Sequence, residues 1–172
     1  MKTIMETDRL VLREFGLSDL DDLASIMADP QVMEFSTGGP WDRNRTKVFL
    51  ENCQVDYTVE GWSYRRWAVI HKHDNRLIGY CGLAQYDEVD GSPEIAIGFR
   101  LTPEYWGRGL TTEAAAATRD YGFGRLGMKR LISTIEPENI ASIRVAEKIG
   151  MTCEKQIQKW DLQLLLYAIS VE

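Results

Sequence analysis

A chain of 172 residues fits one domain and is long enough to bury a hydrophobic core. With 44% hydrophobic and 27% charged residues, its composition is that of an ordinary globular protein, neither a disordered tail nor a membrane bundle. A formal net charge of −6 excludes the basic stripe of a nucleic-acid binder and is compatible with a cationic substrate, which an acidic surface gathers.

The first predicted element is a short strand, Arg9 to Arg13. Ser18 then reads as a helix N-cap, with Asp19, Asp21 and Asp22 in the first turn, where the helix dipole favours them. Leu20, Leu23, Ala24 and Met27 follow at helical spacing until Asp29-Pro30 stops the run. Residues 31–45 read as a loop broken by Ser36-Thr37-Gly38-Gly39-Pro40, and a second helix is expected from Asn44 to about Glu60, ending at Gly61. Trp67 to His71 and Leu77 to Leu83 read as a hairpin around the His73-Asp74-Asn75 turn, and a further strand, Glu94 to Leu101, follows the Asp90-Gly91 turn. A glycine-containing loop, Glu104 to Thr111, opens an alanine-rich helix that Gly122, Gly124 or Gly127 would end. Arg130 to Ile135 is a strand, and Asn139 to Ile149 a helix with Gly150 at its C′ position. Cys153 to Trp160 and Leu162 to Ile169 close the chain as a hairpin. The order of elements predicts an α/β (α+β) fold, a sheet of mixed direction in one domain spanning residues 1–172.

Three cysteines, Cys53, Cys81 and Cys153, stand far apart without a CxxC pair, which excludes a disulfide framework and a zinc knuckle; no metal site is expected. His71 and His73 read as turn residues rather than as partners of a nucleophilic cysteine. No stretch has the length of a signal peptide or a membrane span, so a reducing, cytoplasmic setting is expected.

The chemistry is concentrated in Trp106-Gly107-Arg108-Gly109-Leu110-Thr111, between a strand and a helix. Two glycines let the backbone come close to a ligand, and the helix start presents unpaired N–H groups, a natural seat for a pyrophosphate. A Walker A loop is excluded because no GxxxxGK[ST] occurs, and a dinucleotide fingerprint fits poorly because Thr112 stands where the third glycine belongs.

The loop resembles the pyrophosphate loop of the GNAT acetyltransferases, Q/R-x-x-G-x-G/A, with Glu104 in place of the usual Gln or Arg. The segment Asn139 to Met151 resembles N-x-x-S-x-R-x-x-E-K-x-G-[FM] of the RimJ/RimL-like branch, the ribosomal-protein N-terminal acetyltransferases. Thr7 to Arg13, Asp29 to Met33 and Leu77 to Leu83 extend the similarity in order over nearly the whole chain. The resemblance implies a mixed, mostly antiparallel twisted sheet flanked by helices and an enzyme that moves acetyl from acetyl-CoA to a primary amine. The acceptor would be a protein N-terminus or, alternatively, a polyamine or an amine-bearing antibiotic, taken by a monomer or a homodimer. A non-catalytic acyl-CoA-binding module on the same fold is a second reading.

Such a reaction needs a base for the amine, donors for the carbonyl oxygen and an acid for the departing thiolate. Glu94, at the start of a strand, is the expected base, with Glu34 and Asp87 as alternatives. The resemblance assigns the acid to Ser142, because the position where many relatives carry tyrosine is Ala146 here; Ser142 lies one turn earlier on the same face. It also implies cofactor contacts from backbone groups of Phe99 and Leu101, from Gly107, Arg108, Gly109, Leu110 and Thr111, and from Asn139 toward the pantetheine arm. Trp41, Trp62, Tyr64 and Glu34 fall on segments that wall the acceptor groove in similar proteins.

Overall fold

The computed structural model describes residues 1–54 and 65–172. One sheet holds strands β1 (Thr3–Glu6), β2 (Leu10–Arg13), β3 (Arg65–His71), β4 (Arg76–Val89), β5 (Ser92–Leu101), β6 (Arg130–Ile135), β7 (Thr152–Lys159) and β8 (Leu162–Ser170). Their order is β1-β2-β3-β4-β5-β6-β8-β7. Neighbours are antiparallel except β5 and β6, which run parallel. Helices α1 (Leu20–Met27), α2 (Arg43–Gln54), α3 (Leu110–Gly124) and α4 (Ile140–Lys148) flank the sheet, as expected from the sequence.

Burial follows the two-residue period of the strands. Val69, Cys81, Ile97, Leu131 and Tyr167 pack with α3 and α4 in one cluster, while Ala68, Ile70 and Tyr80 pack with α1 and α2 in another. A third cluster joins Ala96, Ile132, Leu164 and Leu166. β4 is buried continuously from Leu77 to Ala84, the signature of a strand covered on both faces. Each fully buried leucine or isoleucine in these clusters, such as Leu110 or Ile132, contributes roughly 1.5–3 kcal/mol. Ala114 and Ala115 of α3 are wholly buried, and their small side chains combine high helix propensity with close seating on the sheet.

The caps explain where the helices begin and end. Asn139 Oδ1 accepts the Ser142 N–H at 3.2 Å, and Gly150, at φ +89°, ends α4 as expected. Ser18, expected as the first N-cap, lies instead inside a 3₁₀ turn, Leu17–Asp19, that precedes α1. There Asp19 accepts the Gly16 N–H at 2.8 Å and pairs with Arg13, a long-range partner that a local capping rule does not register. Burial opposes ionisation of Asp19, but the Arg13 guanidinium and the Gly16 N–H win, holding its carboxyl below the usual range. Strand β1 was not expected, for Thr3-Ile4-Met5-Glu6 lacks alternation; pairing with β2 supplies what the pattern does not. α2 starts at Arg43, where Asp42 Oδ1 accepts the Arg45 N–H at 2.7 Å; its expected continuation to Glu60 and stop at Gly61 lie outside the described residues. Among those residues no helix is long and apolar enough to cross a membrane.

Candidate active site

β5 and β6 begin as a parallel pair, with Ala96 in register with Ile132. One residue further, the buried Ser133 hydroxyl donates to the Ile97 carbonyl at 3.1 Å, a side chain standing in for a ladder bond. Beyond that point the strands separate, and a cavity of about 160 Å³ opens between their ends. β5 lines it with Gly98, Phe99 and Arg100, the end of β6 with Thr134 and Glu136, and α4 with Asn139 and Ser142. Phe35 and Thr37, after α1, and Trp160, at the β7–β8 turn, complete its rim. Since Ile97 turns its carbonyl toward β6, the alternation of the strand turns the peptide edges of Phe99 and Leu101 the same way. Both were expected to offer free backbone groups. Phe99 lines the cavity, but the Leu101 carbonyl is already used, accepting the Trp106 indole N–H at 2.7 Å.

The expected loop lies just beyond β5, after a 3₁₀ turn, Pro103–Tyr105. Gly107 (φ +72°) and Gly109 (φ +76°) both adopt the left-handed conformation, which a β-branched residue enters only under strain. Gly109 is the N-cap of α3 and has no side chain to cap it, so the N–H groups of Leu110 and Thr111 face outward unpaired by any cap. The Arg108 guanidinium stacks over the Tyr105 ring at 5.1 Å, while its carbonyl accepts Arg9 Nη1 at 2.8 Å. Arg9 also donates to Glu113 Oε2 at 2.7 Å, and Glu113 Oε1 takes the Thr7 hydroxyl at 2.6 Å and the Arg9 N–H at 2.9 Å. Burial disfavours the charged form of Glu113, yet these donors hold its carboxyl below the ordinary range. Arg9 as the brace of the loop was not found from the sequence, where it read only as the start of a strand. Glu104 pairs with Arg76 at 2.8 Å. Tyr105 donates to Asp74 at 2.6 Å, and Asp74 also contacts His71 Nδ1 at 2.7 Å, so the two turns are tied together. His71, read as a turn residue, is instead the last residue of β3, where its ring packs against Tyr105 and supports the turn below the loop.

Ser142, on the first turn of α4, lines the cavity, and its hydroxyl makes no hydrogen bond among the described residues. The side-chain oxygen of Asn139 is spent on the cap, leaving its amide NH₂ toward the cavity it also lines. Ala146 sits one turn on and is 1% exposed, packed in the core, so a tyrosine there would overpack it.

Glu94 is placed differently from the expectation. It sits at the paired end of β5, does not line the cavity, and accepts Arg130 Nε at 2.9 Å. Arg130 also binds Glu154 through both Nη atoms at 2.8 Å, and these carboxylates hold its guanidinium firmly charged. Glu94 is thus an ion-pair partner of Arg130, a contact that position along the strand does not announce. Glu34 and Asp87 are exposed and do not line the cavity either. Trp41 packs edge-on against Phe49 at 5.4 Å, while Trp62 and Tyr64 lie outside the described residues. Burial pushes the Cys81 thiol up to about 12, which removes it as a nucleophile. Among the described residues no cluster of His, Cys, Asp and Glu could hold a metal ion. The two charged residues that line the cavity, Arg100 and Glu136, carry no sequence signature; only their strand ends, brought together by the parallel pair, reveal them.

A family model, "Acetyltransferase (GNAT) domain", matches residues 9–152. The chain is 33% identical to YkkB of Bacillus subtilis (strain 168) over 96% of its own length and 95% of that protein's. It superposes on the crystal structure of a GNAT-family acetyltransferase from Bacillus anthracis with a TM-score of 0.80 at 28% identity, covering 96% of this chain and 97% of that one. The spermidine N-acetyltransferase of Vibrio cholerae, solved with CoA and spermine, shares the fold with a TM-score of 0.76; its 16% identity over 95% of this chain and 96% of that one speaks for the fold alone.

Proposed function

Because this chain belongs to the GNAT acetyltransferase family and is an N-acetyltransferase, we propose that it moves acetyl from acetyl-CoA onto a primary α-amine seated between β5 and β6. The observation that carries this reading is the common position of three features: the parted strands, the left-handed glycine loop and the uncapped start of α3. The residues present fit the cofactor. The uncapped start of α3 leaves backbone N–H groups of the kind a pyrophosphate takes, and the edge of Phe99 offers ladder groups to a pantetheine arm. Arg108 and Arg9 add positive charge at the loop, and the Asn139 amide faces the arm's path. Acetyl-CoA supplies the thioester that makes the acetyl group transferable.

The chain's own part is to seat, orient and move protons. Ser142 holds a hydroxyl proton at Oγ at the mouth of the gap and is the proposed acid. The base is not assigned to Glu94, which is committed to Arg130. An α-amine, with its pKa near 8, needs less help to lose its proton than a lysine near 10. The Asn139–Met151 segment favours the RimJ/RimL-like branch and hence an α-amine.

The test is release of free thiol from acetyl-CoA in the presence of amines, combined with titration calorimetry. Gly109→Val forces a β-branched residue to φ +76° and is expected to weaken acetyl-CoA binding by at least ~100-fold, on the order of 3 kcal/mol. A folded Gly109→Val protein that binds CoA as tightly as the parent overturns the loop assignment.

A further inference from the structure

Arg100 extends from β5 on the face that also carries Tyr80. Its guanidinium stands 5.9 Å from the centre of the Tyr80 ring, and Nη1 donates to the Tyr80 hydroxyl at 2.5 Å. A guanidinium has five N–H donors, and this one is half-buried at the cavity wall with no carboxylate partner among the described residues. Three other half-buried arginines are answered by acids: Arg13 by Asp19, Arg119 by Asp120, and Arg130 by Glu94 and Glu154. A glycine holds Arg100 in place. A Cβ on Gly79 would lie 1.9 Å from the Arg100 carbonyl oxygen, so the close pairing of β4 and β5 that sets this backbone requires glycine.

Across the gap, Glu136 ends β6 and is half-buried. Its carbonyl accepts the Asn139 N–H at 2.9 Å, but its carboxylate makes no hydrogen bond or ion pair among the described residues. Arg100 and Glu136 are the charged members of the described cavity lining, and they are not paired with each other. A half-buried ionic group without a partner loses solvation without recovering it, which is costly unless a ligand completes it. The cavity therefore presents one cation and one anion to whatever enters.

The geometry points to an acceptor that is itself a zwitterion: a small primary amine carrying a carboxylate, as in a free α-amino acid, its carboxylate held by Arg100 and its ammonium by Glu136. This inference rests on the acetyltransferase reading above. A polyamine bears several cations and no anion, and would set one of them against Arg100. Guanidinium and carboxylate also match as a planar, bidentate pair.

The experiment uses the full chain with the free amino acids, their carboxamides, the matching decarboxylated amines, spermidine and short peptides with free N-termini. Thiol release is read kinetically, and binding of each compound to the CoA-loaded protein is read by calorimetry. The expected result is acetylation and binding of one or more amino acids, with KM at least ~10-fold higher for the carboxamide and decarboxylated partners. Arg100→Gln is expected to raise KM for the amino acid by roughly 10- to 100-fold and to leave the decarboxylated amine unchanged, with Arg100→Lys recovering part of the loss. Glu136→Gln is expected to weaken both. Unchanged CoA affinity in each variant shows that the fold persists. Equal use of the decarboxylated amines, preference for spermidine or peptides, or no amino-acid binding overturns the zwitterion assignment while leaving acetyl transfer standing. Failure to bind acetyl-CoA at all overturns the parent reading instead.

Discussion

The two ends of the β5–β6 pair are built from the same two strands, running side by side in the same direction, yet they treat charge in opposite ways. At the paired end, where Ala96 and Ile132 are in register, Glu94, Arg130 and Glu154 answer one another at 2.8–2.9 Å. At the parted end, Arg100 and Glu136 face one cavity with neither given an opposite charge by the described residues. The ladder fixes the distance between side chains, so charges placed there settle each other and serve stability. Where the ladder stops, the opposite charges of Arg100 and Glu136 are not paired with each other and both face the cavity.

The contrast can be broken most severely at the parted end. Ser142→Ala removes a cavity-facing hydroxyl while improving helix propensity, so kcat is expected to fall roughly 10²- to 10⁴-fold with little change in KM. Single-turnover kinetics, which isolate the chemical step, check this; a full single-turnover rate removes Ser142 as the acid. Next in size is the pivot between the two ends. Ser133→Ala leaves the buried Ile97 carbonyl without its donor and is expected to cost about 1–3 kcal/mol, read from the urea midpoint. An unchanged midpoint would show that the hydroxyl is no substitute for a ladder bond. The smallest effect is expected at the paired end, where Glu94→Gln keeps an acceptor for Arg130 Nε and should cost at most about 1 kcal/mol. Its pH–rate profile is expected to overlie that of the parent. A selective loss of rate at neutral pH, recovered at high pH, would restore Glu94 as the base and dissolve the contrast.

Much of the cofactor end was legible in the sequence because its signals are local. Gly107 and Gly109 mark left-handed backbone, Asn139 and Gly150 mark the two ends of α4, and Asp90-Gly91 marks the β4–β5 turn. Each needs only a few consecutive residues. The partner of Glu94, by contrast, is Arg130, 36 residues away in sequence on β6, and Arg130 is shared with Glu154 of β7; no period or cap announces either contact. Arg100 and Glu136 likewise become a pair of opposite charges about one cavity only after a parallel connection has laid β6 beside β5. The Ser18 cap failed for a local reason: Arg13 and Gly16 recruit the neighbouring Asp19, and the turn forms around that residue. Β1 was hidden because an edge strand needs one partner and no alternation.

The Trp106 indole joins the end of β5 to the glycine loop through its hydrogen bond to the Leu101 carbonyl, with 46% of the residue open to solvent. One chromophore thus spans the glycine loop and the end of β5, and a second, Trp160, stands at the cavity rim. The molecule carries its own optical reporters. Trp106 and Trp160 are two of five tryptophans, and replacing each in turn by phenylalanine and taking the difference from the parent isolates its share of the emission. The order in which the two substrates arrive can therefore be timed in a stopped-flow instrument without attaching any dye.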